Sequence, residues 1–128
     1  MDLMDLKVDL GQEGLGMMFL DYQILMLRHA WNVAVGTVEL TTAELCVHVN
    51  RVLKESDGER KSISRSSVIK SAQGFYESGI WGYHEASCKG GYRRLYRPIM
   101  TEEELLETVR TVIIDRFNLA LEKVRGKT

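Results

Sequence analysis

The chain has 128 residues, a formal net charge of −1, 45% hydrophobic and 27% charged residues, which is the size and make-up of one folded domain with room for a core. No run approaches the roughly 18 apolar residues a bilayer span requires. The acidic start MDLMDLKVDL lacks an export-signal pattern, and Cys46 and Cys88 are too sparse for a disulfide framework, so a cytoplasmic protein without membrane association is expected.

The near-neutral total conceals an uneven distribution. Residues 60–98 carry Arg60, Lys61, Arg65, Lys70, Lys89, Arg93, Arg94 and Arg97 against Glu77 and Glu85, a local balance of +6, whereas every other segment is acidic on balance. A basic surface concentrated in this way most commonly meets a nucleic-acid backbone.

Taken in order, residues 1–19 combine Asp2, Asp5, Asp9 and Glu13 with glycines at 11, 14 and 16, which disfavour a helix, and read as an N-terminal arm. Over residues 20–35 the apolar side chains Leu20, Ile24, Leu27 and Trp31 recur at helical spacing, with Asp21 in the opening turn and Gly36 as the stop. Thr41 and Glu44 have the spacing of a capping box for a second helix, whose stripe is Leu45, Val49, Val52 and Leu53. The polar cluster at residues 55–61 ends it. Ser62 or Ser64 can cap a third helix that Gly79 terminates. On a wheel of this helix Val68, Ile69, Ala72, Phe75 and Tyr76 are expected to face the core, leaving Ser66, Ser67, Lys70, Gln73 and Gly74 outward.

Residues 80–88 and 92–97 read as two strands joined through Lys89, Gly90 and Gly91, and Pro98 marks the end of the hairpin. Thr101 and Glu104 form a second capping-box pattern. The helix they open carries Leu105, Val109, Val112, Ile113, Phe117, Ala120, Leu121 and Val124 over about six turns, longer than one small core can cover.

Three helices, a basic hairpin and a long amphipathic helix have the element order of a winged helix-turn-helix followed by a dimerisation helix, an α+β, mostly α, fold. The division expected is an arm at 1–19, a DNA-binding domain at 20–99 and a dimerisation helix at 100–128. Several runs resemble the penicillinase-repressor family, and more distantly regulators of the multiple-antibiotic-resistance type. FLDYQILMLRHAW resembles that family's first helix, LTTAEL its second-helix opening, ISRSSVIKSAQGFYESGIWGY its recognition helix leading into the first wing strand, and GGYRRLYRPIMTEEEL its second wing strand and the start of the dimer helix. The paired CxC motifs of the copper-responsive branch are absent, and Phe117-Asn118 reverses the Asn-Phe bond at which the β-lactam-responsive branch is cleaved. Neither regulation is carried over.

The resemblance implies a homodimeric, sequence-specific DNA-binding transcriptional regulator, with repression as its expected mode. The third helix would lie in the major groove, where Lys70 and Gln73 have the reach for base edges, with Ser66, Ser67 and Arg65 near phosphates. Lys89 with Arg93 or Arg94 would follow the backbone or enter the minor groove. Leu105, Val109, Val112, Ile113, Phe117, Leu121 and Val124 would pair two protomers. A reading from another class is a winged-helix module for protein assembly, its basic surface facing an acidic partner.

Cys46 and His48 lie on different faces of one helix, and Cys88 with His84 lacks further ligands, so no metal or other cofactor is expected. Neither a Ser-His-carboxylate grouping nor a phosphate loop is present, so no enzyme is expected.

Overall fold

A computed structural model describes residue 9, residues 12–33 and residues 39–126. The expected stop at Gly36 and most of the first eleven residues lie outside these. Helix α1 (Asp21–Val33) starts where the Leu20 amide donates to Gln23 Oε1 at 2.9 Å and the Tyr22 amide donates to Asp21 Oδ1 at 2.8 Å. Its buried face is Tyr22, Met26, Leu27 and Ala30, about a quarter turn from the stripe read in the sequence, and Leu20 stays exposed. Trp31 is half-buried because its indole N–H reaches the Met100 carbonyl at 2.9 Å, which ties α1 to the start of the last helix.

Helix α2 (Thr42–Glu55) is capped by the Thr41 hydroxyl, which accepts the Glu44 amide at 3.2 Å, and it buries Leu45, Val49 and Leu53. The polar connection that follows is held at two points. Arg60 donates from Nε to both Asp21 carboxylate oxygens, at 2.9 and 3.2 Å, with its guanidinium over the Tyr22 ring. Asn50 pairs with the backbone of Ile63, accepting its amide at 2.7 Å and donating to its carbonyl at 3.1 Å. These contacts fix where helix α3 (Arg65–Glu77) begins. Ser64 caps it by accepting the Ser67 amide at 3.2 Å. At the other end the Ser78 and Gly79 amides return to the Gly74 and Tyr76 carbonyls, and Gly79 takes φ 77°, a conformation that favours glycine.

Strands β1 (Trp81–Cys88) and β2 (Gly91–Pro98) pair antiparallel from Trp81↔Pro98 to Cys88↔Gly91, joined by Lys89 and Gly90. Leu40 forms a single bridge to Tyr96, with N–H···O distances of 2.9 and 2.8 Å. The hairpin tip stands in solvent. Helix α4 (Glu102–Arg125) opens on a complete capping box: the Thr101 hydroxyl accepts the Glu104 amide at 3.1 Å and Glu104 accepts the Thr101 amide at 3.2 Å.

Among the described residues the architecture is thus mostly helical, four α-helices with one two-stranded antiparallel sheet. A single core gathers Leu27, Leu45, Val49, Val68, Phe75, Ile80, Trp81, Leu105 and Val109. It also takes in Leu15, Met18 and Phe19, residues assigned by sequence to the arm. A short 3-10 turn over Gly14–Met17 brings them inward, because the glycines that disfavour an α-helix permit this tighter turn. Among the described residues, no helix is long and apolar enough to cross a membrane.

Candidate nucleic-acid interface

Helix α3 divides into two faces whose boundary differs from the one expected. Val68, Ser71, Ala72, Gly74 and Phe75 face inward. The Ser71 hydroxyl is satisfied by Gln23 Nε2 at 3.1 Å and Tyr22 Oη at 3.4 Å. Gly74, expected outward, is buried. Ile69 and Tyr76, expected in the core, are 46% and 42% exposed. The outward face is Arg65, Ser66, Ile69, Lys70, Tyr76 and Glu77, with Ser67 and Gln73 half-buried at its margins.

The hairpin lies beside this face. Alternation along β2 puts Arg94 and Tyr96 on one face of the strand and Arg93 and Arg97 on the other, and of these Arg94 bonds directly to α3. Arg94 donates to Gln73 Oε1 and, at 3.3 Å, to Tyr96 Oη, while its guanidinium lies 4.3 Å from the centre of the Tyr83 ring. Gln73 in turn donates from Nε2 to Glu77 at 3.0 Å. Tyr83 stacks edge-on against Tyr76 with centroids 4.6 Å apart, so aromatic contacts join the hairpin to α3 along with the Arg94–Gln73 bond.

These bonds sort the cations. Arg60 is engaged by Asp21, Lys61 by the Ser56 carbonyl and Arg94 by Gln73 and Tyr96. Among the described residues, no hydrogen bond or ion pair engages the side chains of Arg65, Lys70, Lys89, Arg93 or Arg97, and all five are exposed. Arg65 and Arg93 join Arg94, Ile69, Cys88 and Thr42 around a cleft of about 430 Å³ between the start of α2, α3 and the hairpin. The α2 N-terminus there leaves backbone amides that favour an anion. Ser66 and Ser67, expected near phosphates, both sit within hydrogen-bond range of the capping Ser64 hydroxyl, at 3.2 and 2.8 Å. Lys89 occupies the tip of the hairpin.

The stripe on α4 also divides. Leu105, Val109 and Val112 are buried in the protomer's own core, so these three do not offer a face to a second chain. Ile113 is half-buried against the core, while Phe117, Leu121 and Val124 are exposed, Phe117 at 71%. Beside the buried face runs a second row, Leu106, Arg110, Ile113, Phe117, Ala120 and Val124, spaced alternately by four and three residues. That is the spacing of a coiled-coil seam.

Asn50, Arg60 and Tyr83 position these parts and were not singled out by sequence, because their partners lie in other elements. Asn50 alone carried a usable hint, being an amide on the buried side of α2. Among the described residues, no group of three or more His, Cys, Asp or Glu side chains is placed to hold a metal ion. Comparison of the chain with protein-family models, curated proteins and solved structures finds no match in any of the three.

Proposed function

We propose that the chain is a homodimeric, sequence-specific DNA-binding transcriptional regulator of the winged helix-turn-helix kind, acting as a repressor inside the cell. In this reading α3 enters the major groove and the hairpin is the wing, with Lys89 and Arg93 on the backbone or in the neighbouring minor groove. The observation that carries it is the set of five unengaged, exposed cations on one helix and one hairpin of an otherwise acidic chain. Exposed cations with no protein partner are the groups that release condensed counterions when they meet phosphate.

The row from Leu106 to Val124, exposed at every position but the half-buried Ile113, supports pairing of two protomers, which doubles the phosphate contacts and gives the site the symmetry of the protein. The penicillinase-repressor resemblance accords with that arrangement. Lys70 reads base edges, and Gln73 does so through whichever of its amide atoms Arg94 and Glu77 release.

Fluorescence-anisotropy titration against random duplex DNA at two salt concentrations tests the proposal. With three or four phosphates neutralised per protomer, the expected log-log salt slope is about −5 to −7 for the dimer. Absence of binding at low salt overturns it and leaves the protein-assembly module as the reading to pursue.

A further inference from the structure

Ile69 stands near the centre of the outward face of α3 and is aliphatic, although the side chains around it are polar or charged. Arg65 lies one turn before it and Gln73 one turn after, and Arg93 and Thr42 line the same cleft. At 46% exposure nearly half of the side chain is open to solvent, whereas Tyr76, further along that side, rests on Tyr83. A core role is already filled by Val68 and Ala72, both fully buried.

The hydrogen-bonding capacity beside Ile69 is partly committed. Gln73 accepts from Arg94 with its oxygen and donates to Glu77 with its nitrogen, so its amide is committed, and the open surface at the middle of the face is the aliphatic Ile69 between the unengaged cations Arg65 and Lys70. In the major groove the one base feature complementary to an exposed aliphatic side chain is the C5-methyl of thymine, which no other base of DNA carries.

We propose that Ile69 reads the methyl group of a thymine in each half-site, which makes it a specificity-determining residue. The inference rests on the DNA-binding reading above. Shielding one methyl from water corresponds to about a three- to fivefold gain in affinity per contact.

The test begins with a binding site selected from a random duplex pool with the full-length protein. Each thymine of that site is then replaced in turn by uracil, which pairs identically and lacks only the methyl. Wild-type protein should lose about three- to fivefold in affinity at one symmetric thymine position per half-site and nothing at the others. Ile69→Ala, which removes the contact from both half-sites of the dimer, should bind the unmodified site about ten- to twenty-fivefold more weakly and be indifferent to uracil there. A selected site at which every thymine tolerates uracil overturns the inference and leaves DNA reading intact, and that arm needs no variant. A uracil penalty that persists in Ile69→Ala assigns the methyl to another residue and also overturns it. Failure to select or bind any sequence removes the DNA-binding reading itself, and this inference with it.

Discussion

The two halves of α4 have similar amphipathic composition and opposite surroundings. In the first half Leu105, Val109 and Val112 close the protomer's core, with Leu105 fully buried. In the second half Phe117 and Val124, of the same apolar character, stand largely in solvent, and Leu121 is partly exposed. A helix of 24 residues is about 36 Å long, and the small core ends before it does. Amphipathic periodicity therefore marks a face to be covered without saying by what, and the same stripe serves the protomer at one end and is open to a partner at the other.

Substitutions sharpen that contrast. Leu105→Ala should destabilise the fold by about 2 to 5 kcal/mol, because a fully buried leucine leaves a cavity, and urea denaturation followed by circular dichroism measures it. In the second half, Phe117→Ala should change the stability of the dilute protomer by no more than about 0.5 kcal/mol, since its side chain is largely exposed. Its effect should appear in sedimentation equilibrium as loss of the dimer. Thermal midpoints that rise with concentration in the wild type and not in the variant would show the same linkage. If Phe117→Ala instead unfolds the protomer, the division of α4 into a core half and a partner half is wrong.

On the proposed function, the two basic devices differ in the same manner, α3 reading the DNA and the hairpin holding it. Lys70→Ala should cost about 1 to 3 kcal/mol on the preferred site and relax selectivity at one position. Lys89→Ala, at the solvent-exposed hairpin tip, should weaken all duplexes alike and reduce the salt slope by about 2 units in the dimer, one contact per protomer.

The smallest effect concerns pH. The His29 and His48 rings stack with centroids 3.7 Å apart between α1 and α2, with Arg51 Nη2 3.1 Å from His48 Nδ1 and Glu44 near His29. Burial, followed by Arg51, lowers His29 below its ordinary 6.5 despite Glu44. Burial, followed by His29 and Arg51, lowers His48 in the same direction. The folded state thus binds these protons less readily than the unfolded chain. The pair's contribution to stability is present in full above pH 6.5 and is lost as pH falls through the lowered folded values. The thermal midpoint should fall on acidification through this range, and His29→Gln should flatten the dependence.

Much of the fold was legible because its boundaries are written in local chemistry. Thr41, Ser64 and Thr101 cap the helices they were expected to cap, Gly79 takes the left-handed turn after α3, and Lys89 with Gly90 joins the strands. What misled was the direction each face takes. Hydropathy counts Ile69 and Tyr76 as core and Gly74 as surface. In the packed molecule small residues of α3 turn inward, and the large Ile69 and Tyr76 sit beside the hairpin. The bond from Arg94 to Gln73 crosses 21 positions in the chain and leaves no local pattern. Leu15, Met18 and Phe19 were obscured by the glycines and acids around them. Periodicity finds elements, and only packing orients them.

The central claim is that two copies of α3 and its hairpin, held by the exposed half of α4, read a symmetric DNA site. Selection of bound sequences from a random duplex pool tests it most directly. The account predicts an inverted repeat with half-sites about one helical turn apart, and its loss with Phe117→Ala. A pool that stays random after repeated rounds would contradict it.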